Sequence, residues 1–169
     1  MSLVGGAVRD AILGVPHGPD VDLVVEGDAI ALAHALGRRL GARVVAHERF
    51  RTAELELELE LPHGRRLDLV TARRERYPHP GALPVVEEGT ITDDLARRDF
   101  TVNAMAYRLS GPEAGALLDP HDGRADLRAG LVRALRPDAF TEDPSRLLRA
   151  VRYAARLGFA LEPGTRAAA

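Results

Sequence analysis

The chain has 169 residues, 46% of them hydrophobic, so it can bury one good core, and we expect one domain with an appendage. No apolar run approaches the roughly 20 residues that span a bilayer, so we expect a soluble, cytoplasmic protein without a membrane partner. The absence of cysteine excludes disulfides, thiolate metal sites and cysteine nucleophiles. The net charge of −2 excludes a global basic field for a polyanion, although all 23 basic residues are arginine.

A double glycine opens the first predicted helix. Gly5 and Gly6 allow a tight turn whose backbone can approach a ligand closely, and a helix over residues 7–13 would aim its free N–H groups at an anion. Arg9 on this helix adds a guanidinium that can bind phosphate with two hydrogen bonds. The alternative is that the two glycines form only a turn.

Two carboxylates follow at the start of an apolar strand. Because side chains two apart in a strand point the same way, Asp20 and Asp22 should converge on one side while residues 23–25 anchor the strand. Adjacent carboxylates repel unless a cation or a proton lies between them, and Mg²⁺ prefers oxygen ligands. The pattern predicts a metal and triphosphate site within residues 3–25, although Asp20 could instead be a loop residue after Pro19.

The next elements predict a helix packed on a sheet. Residues 28–40 have apolar side chains at helical spacing and begin with a capping aspartate, and residues 43–47 form a short strand candidate. Leucine and glutamate alternate over 53–61, which predicts a half-buried strand with solvated glutamates. Residues 67–71 return as its antiparallel partner in a hairpin.

Asp68 lies on this second hairpin strand and should point away from the leucines beside it. It is either a third carboxylate beside Asp20 and Asp22, and so a further metal ligand, or a solvated edge residue, and the two interpretations are left open. Prolines, glycine and charges over residues 73–89 predict a long irregular loop that is disordered or acts as a lid.

Short elements complete the first part of the chain. Thr92-Asp93-Asp94 predicts a helix start, and strands are expected at residues 117–118 and 131–135 with a short helix near 126–128 between them. Pro137 marks a boundary.

Glu142-Asp143-Pro144 predicts the start of the last helix, because aspartate caps well and proline suits the first helical position, and this helix ends at Gly158. Its predicted buried stripe comprises Leu147, Leu148, Val151, Ala154 and Ala155. Arginines recur every three residues on another face, at Arg146, Arg149 and Arg152.

Asp143 and Arg146 are helical neighbours whose chemistry matches two of the four bases. Adenine and cytosine present an amino donor beside a ring-nitrogen acceptor, so a carboxylate next to an arginine complements these two alone. Arg149 and Arg152 continue along the helix as candidate triphosphate contacts. The alternative is a helix cap and a solvated arginine surface.

Four ordered motifs now identify a family. The chain resembles the class II tRNA nucleotidyltransferases, which comprise the CCA-adding enzymes and their CC-adding, A-adding and poly(A) polymerase relatives. The motifs are Leu3-Val4-Gly5-Gly6-Ala7-Val8-Arg9-Asp10 with Asp20-Val21-Asp22, Arg97-Arg98-Asp99-Phe100-Thr101-Val102-Asn103-Ala104, Asp119-Pro120 through Gly123, and Glu142-Asp143-Pro144-Ser145-Arg146-Leu147-Leu148-Arg149-Ala150-Val151-Arg152.

The resemblance implies an α+β nucleotidyltransferase head, of the DNA polymerase β-like type, over residues 1–137. It has a mostly antiparallel mixed sheet with flanking helices, and residues 138–169 begin a truncated helical neck. Asp20 and Asp22 would be the catalytic residues and hold two Mg²⁺ ions, Asp99 would sense the ribose hydroxyl, and Asp143 and Arg146 would select the base. The implied nucleotide-binding residues are Gly5, Gly6, Arg9, Arg98, Asp99, Asn103, Asp143, Arg146, Arg149 and Arg152.

The implied reaction is attack of a tRNA 3′-hydroxyl on the α-phosphorus of CTP or ATP, with release of pyrophosphate. The choice among CCA, CC and A addition would depend on residues 73–89 and on helical body and tail segments that grip tRNA outside this sequence. Two alternatives stay open, a poly(A) polymerase of the same family and a catalytically silent nucleotide-binding module.

Overall fold

The computed structural model describes residues 1–18, 21–61 and 64–169, and the side chains of these residues except 58–61, 64 and 65. Its strands are β1 Ser2–Val4, β2 Val21–Val25, β3 Arg43–His47, β4 Thr52–Leu61, β5 Gly64–Thr71, β6 Arg73–Arg76, β7 Val85–Glu88, β8 Ala106–Arg108, β9 Leu117–Leu118, β10 Leu131–Val132 and β11 Ala160–Leu161. Its α-helices are α1 Gly6–Leu13, α2 Ala29–Leu40, α3 Ile91–Ala96, α4 Gly123–Ala129, α5 Ala139–Glu142, α6 Ser145–Leu157 and α7 Pro163–Ala168.

A mixed seven-stranded sheet has the order β3-β4-β5-β2-β1-β8-β9. Only β2 and β5 pair in parallel, and the other neighbours in the sheet are antiparallel. The fold is therefore α+β with a mostly antiparallel sheet and flanking helices, as the family resemblance implied.

Helix α2 covers one face of this sheet. Asp28 accepts a hydrogen bond from the Ala31 amide at 2.9 Å and caps the helix, and Gly41 ends it in the left-handed conformation. Ala29 and Ala33 are fully buried against leucines of the sheet. The predicted helix over residues 28–40 is confirmed.

The alternating leucines and glutamates form a long strand, as predicted. Leu55 on β4 is fully buried beneath α2, while Glu54 and Glu56 are half-buried on the other face. β5 returns antiparallel to β4, so the predicted hairpin is also confirmed.

The prediction of irregular structure over residues 73–89 was wrong for 73–76 and 85–88, because β6 and β7 pair antiparallel in a separate two-stranded sheet. Residues 77–84 between these strands contain no helix or strand, as predicted. Glu75 accepts hydrogen bonds from Arg73 Nε at 3.0 Å and from Arg97 Nη1 at 3.0 Å, so ion pairs stabilise a segment that has no apolar alternation.

The next helix also starts earlier than predicted. Thr90 caps α3 in a reciprocal arrangement with Asp93, two residues before Thr92.

The last long helix presents a different face to the core than predicted. Leu148 and Val151 are 78% and 63% exposed, and Ala155 is also exposed, so this part of the predicted stripe was wrong. Ala150 is buried against Phe100, in a cluster that also receives Leu147, Tyr153 and Ala154. Arg146, which is 5% exposed and hydrogen-bonded to the Ala139 and Arg97 carbonyls, occupies part of the buried face that the prediction had assigned to apolar residues alone.

No helix in the described ranges is long and apolar enough to cross a membrane.

Glu26, which directly follows β2, makes hydrogen bonds to two other parts of the fold that can be tested by mutation. Its Oε1 accepts the Ile91 amide at 2.9 Å and its Oε2 accepts Arg108 Nη1 at 2.7 Å. The Ile91 hydrogen bond, together with Arg108 and against the effect of burial, holds the pKa of Glu26 below its ordinary value of 4.5. The ionised carboxylate therefore stabilises the fold at pH values above 4.5, and this stabilisation is lost as the pH falls through the lowered pKa of the folded state.

We expect Glu26→Gln to lower the free energy of unfolding by about 1 kcal/mol at about pH 7, with a smaller difference from the parent at about pH 3. Urea unfolding at the two pH values measures it, and Glu48→Gln, at an exposed glutamate, is the control. An equal difference at both pH values would contradict the role of the charge.

Candidate active site

The glycine turn before α1 lies directly against an arginine. Gly5 has φ 69° and ψ −132°, a conformation that is essentially restricted to glycine. A Cβ atom at this position would lie 2.8 Å from Arg98 Nη1 and 3.7 Å from Asp22 Oδ2. The turn therefore brings backbone, a guanidinium and a carboxylate to one point.

A cleft of about 430 Å³ opens beside this turn. Strand β2, helix α6, the β6 segment and the turn that follows α3 all contribute to its walls. Asp22 lines it, together with eight of the ten nucleotide-binding residues expected from the sequence, namely Gly5, Gly6, Arg98, Asp99, Asn103, Asp143, Arg146 and Arg149. Residues from three separate sequence motifs thus share one cavity.

The two remaining residues of that set, Arg9 and Arg152, line a second cavity of about 320 Å³. Its wall also includes His17 and Arg156, so basic side chains dominate it. The two cavities share Gly6, Asp22 and Tyr153.

Asp22 and Asp68 are direct neighbours across the parallel β2–β5 pair. Side chains of residues in register on adjacent strands point to the same face, and both aspartates line a third cavity of about 250 Å³. Glu54 is in register with Asp68 on the other side and lines the same cavity. Asp20 lies outside the described residues.

Asp99 and Arg149 form an ion pair in the cleft. Arg149 Nε and Nη2 lie 2.7 and 2.6 Å from Asp99 Oδ2, while Asp99 Oδ1 accepts Asn103 Nδ2 at 3.2 Å. Burial lowers the pKa of the Arg149 guanidinium, but the charge of Asp99 and its hydrogen bond outweigh burial and raise it above the ordinary value. The guanidinium therefore stays charged.

Arg9 is bonded inside the protein as well as lining the second cavity. Its Nη2 lies 2.7 Å from Asp10 Oδ1 and its Nη1 donates to Asn103 Oδ1 at 2.6 Å. Arg9 and Asp10 are 2% and 1% exposed. Asp10 provides the close partner that a buried charge needs, and the hydrogen bond from Arg9 to Asn103 joins α1 to the segment that carries Asn103.

Asp143 and Arg146 lie next to each other at the start of α6, as the spacing predicted, with Arg146 Nε 3.9 Å from Asp143 Oδ2. Asp143 Oδ1 accepts the Ser145 amide at 3.0 Å and the Ser145 hydroxyl at 2.6 Å. Arg146 Nη2 donates to Tyr77 Oη at 3.3 Å and to the Arg97 carbonyl at 3.4 Å. Both side chains are therefore oriented by the protein.

Sequence reasoning missed several residues of the cleft. Arg73, Glu75 and Tyr77 come from the β6 segment that was predicted to be irregular, and Tyr153 was not singled out on α6. Burial, followed by the charge of Glu75, raises the pKa of the Tyr77 phenol, which donates to Glu75 and accepts from Arg146. The run from Arg73 to Tyr77 contains no apolar pattern that could have indicated its position.

Carboxylates on adjacent strands, a glycine turn and an arginine-lined cleft define a nucleotidyltransferase head. Residues 1–133 match the family described as the poly A polymerase head domain, and the chain belongs to this family.

Curated relatives and solved structures agree with this family. The chain is 49% identical over 163 residues to the A-adding tRNA nucleotidyltransferase of Halalkalibacterium halodurans, covering 96% of this chain and 37% of the relative. It is 48% identical over 157 residues to the CC-adding tRNA nucleotidyltransferase of Deinococcus radiodurans, covering 93% of this chain and 41% of the relative. The chain thus spans less than half the length of either relative.

Two solved structures are similar over 99% of this chain. A CCA-adding enzyme in an apo form has 42% identity and a TM-score of 0.89, with 38% of its own chain covered. A tRNA nucleotidyltransferase complexed with a primer tRNA and an incoming ATP analog has 41% identity and a TM-score of 0.83, with 44% covered.

Because Gly5 lies close to Arg98, we expect Gly5→Ala to destabilise the fold more than Gly14→Ala does. We expect Gly5→Ala to lower the free energy of unfolding by about 2–4 kcal/mol, because backbone strain and displacement of Arg98 add. Gly14→Ala is the matched control, since Gly14 also has a positive φ, of 66°, but no atom within 4 Å of the added methyl. Its expected cost is about 1 kcal/mol. Equal losses in urea unfolding would show that Arg98 does not constrain the turn.

Proposed function

We propose that the chain is the catalytic head of a tRNA nucleotidyltransferase, which adds C, A or both from CTP and ATP to the 3′ end of tRNA and releases pyrophosphate. One observation carries the proposal. Eight residues expected from separate motifs to bind a nucleotide line the same cleft beside Asp22. The names of the relatives support tRNA as the acceptor, and a cytoplasmic location is part of the proposal.

Asp143 and Arg146 select the base in this proposal. The carboxylate accepts the exocyclic amino group of adenine or cytosine, and the guanidinium donates to the adjacent ring nitrogen. Guanine and uracil present the reverse arrangement and leave both side chains without a matching partner. Asp143 and Arg146 are already held in place by Ser145 and by Tyr77 with the Arg97 carbonyl, so little reordering is required on binding.

The rest of the nucleotide is bound by the opposite wall and the second cavity. Asp99 hydrogen-bonds the ribose hydroxyl, and the glycine turn offers its backbone amides to the phosphates. The phosphates are further bound by arginines whose planar guanidinium groups suit phosphate oxygens, namely Arg9, Arg98, Arg149 and Arg152.

Mg²⁺ is the proposed cofactor. Asp22 and Asp68 offer carboxylate oxygens to one cavity, a donor type that hard divalent cations prefer, and two adjacent carboxylates are relieved of their repulsion by a cation. The residues present therefore fit the ion, and Asp20 and Asp22 with Asp68 as a third carboxylate would hold it. When bound, Mg²⁺ lowers the pKa of the RNA 3′-hydroxyl and neutralises charge on the leaving pyrophosphate.

The protein's own contribution to the reaction is positioning and charge. The base contacts and the arginines fix the α-phosphorus within reach of the acceptor hydroxyl, and the arginines stabilise the negative charge that develops on the leaving group. No covalent intermediate with the protein is required.

Residues 1–137 form the head in this proposal, and residues 138–169 begin the helical neck. The net charge of −2 gives these residues no overall attraction for the tRNA backbone, and the chain spans less than half of the relatives whose names include tRNA. A poly(A) polymerase is the second candidate, since the matching family carries that description.

Asp22→Asn tests the metal assignment. We expect incorporation to fall by a factor of about 1,000 or more, because the variant keeps the size of the side chain but removes a charged ligand. The assay follows addition of labelled CTP and ATP to tRNA ends that lack one, two or three nucleotides, in the protein that carries this sequence. Asp138→Asn, at an exposed carboxylate, is the control. Normal turnover of Asp22→Asn would refute the assignment.

Asp143→Ala tests the base contact. We expect the preference for CTP or ATP over GTP and UTP to fall about tenfold or more, because the acceptor for the amino group is lost. Competition among the four nucleotides in the same assay measures this preference. A lower rate with an unchanged preference would assign Asp143 to helix capping alone.

A further inference from the structure

Tyr153 on α6 lies at the centre of three arginines. The guanidinium carbons of Arg9, Arg149 and Arg152 are 5.4, 5.6 and 5.6 Å from the centroid of its ring. All three distances are within the range of cation–π attraction. Its phenolic oxygen also accepts Arg149 Nη2 at 3.3 Å. Tyr153 thus contacts arginines that come from two helices.

The ring also lies between the two cavities. Tyr153 lines the larger cleft with Asp143 and Arg146, and it lines the smaller, basic cavity with Arg152 and Arg156. One side chain therefore borders both the proposed base contacts and the proposed phosphate contacts.

The core fixes the position of the ring. Phe100, which is fully buried, meets the Tyr153 ring edge to face, with centroids 5.8 Å apart and an interplanar angle of 77°. This packing orients the ring and leaves it in contact with the arginines.

Three guanidinium groups around one point repel each other, and their long side chains are mobile unless they are held. Asp10 pairs with Arg9, and Asp99 pairs with Arg149. The negative face of the aromatic ring offsets part of the remaining repulsion without adding a competing carboxylate. An aromatic ring can thus gather cations and leave their charge available to an anion.

We propose that Tyr153 is a positioning residue that holds Arg9, Arg149 and Arg152 in the arrangement that receives the polyphosphate of the nucleoside triphosphate. The inference rests on the proposed function and adds a residue to it. Because the arginines are ordered before the ligand arrives, the entropy cost of ordering them is not subtracted from the binding free energy. Loss of the ring should therefore weaken binding of a triphosphate far more than binding of a monophosphate.

The experiment compares CTP with CMP in calorimetric titrations with Mg²⁺. We expect Tyr153→Leu to raise the Kd for CTP about tenfold and the Kd for CMP less than about threefold. Tyr153→Phe keeps the ring and should bind CTP within about threefold of the parent. Tyr107→Leu, at an exposed tyrosine on β8, is the matched control.

The same experiment distinguishes a loss of protein stability from a loss of arginine positioning. Partial unfolding lowers the number of sites for CTP and CMP equally, whereas lost positioning raises the Kd for CTP selectively. If Tyr153→Leu does not fold, Tyr153→Met replaces it, because the unbranched, flexible methionine side chain adapts better to an irregular gap in the packing.

The outcomes are distinct. If the leucine or methionine variant binds CTP as tightly as the parent, or if CTP and CMP weaken equally, the positioning role is overturned. If the parent chain binds neither nucleotide, the proposed function itself fails.

Discussion

The parallel pairing of β2 with β5 is the constraint on which the site depends. It is the one parallel contact in an otherwise antiparallel sheet, and its register puts Asp22 directly beside Asp68. The two carboxylates are thus held on adjacent strands, on the sheet face opposite α2, and the proposed cation site rests on this fixed arrangement. A shift of one residue in this register would turn one of the two aspartates toward the leucines beneath α2.

Buried carboxylates perform a second task by fixing arginines along the cleft. Asp94 is fully buried, and its Oδ1 and Oδ2 lie 2.6 Å from Arg97 Nη2 and 3.1 Å from Arg98 Nη2. Asp99 forms an ion pair with Arg149 in the same way. Each pair removes side-chain freedom that would otherwise be lost on ligand binding. The cleft therefore has ordered arginines in its walls although the chain as a whole is slightly acidic, and the proposed binding of a triphosphate rests on this arrangement.

Local patterns predicted much of this fold, and they failed where long-range polar contacts determine the structure. Helix α2 and the β4–β5 hairpin followed from apolar periodicity and capping. The β6–β7 hairpin did not, because Glu75 pairs with Arg97, which is 22 residues away, as well as with Arg73 on its own strand, and neither contact leaves a periodic signal in the sequence. The buried face of α6 was wrong because Arg146 takes a buried position that periodicity assigns to an apolar residue.

In the candidate site, too, some residues could be predicted from the sequence and others could not. The spacing of Asp143 and Arg146 on one helix, and the glycine turn before Arg9, could be found in the sequence. The role of Tyr77 could not, since it depends on Arg146, which only the tertiary structure brings near. The proposed role of Tyr153 depends in the same way on Arg9, although Arg149 and Arg152 lie on its own helix.

A crystal structure of the chain with Mg²⁺ and a non-hydrolysable CTP analogue tests the central claim most directly. We expect metal density against Asp22 and Asp68, the cytosine edge against Asp143 and Arg146, and the phosphates beside the glycine turn. A nucleotide bound elsewhere, or Asp20 and Asp22 on opposite sides of the sheet, would contradict it.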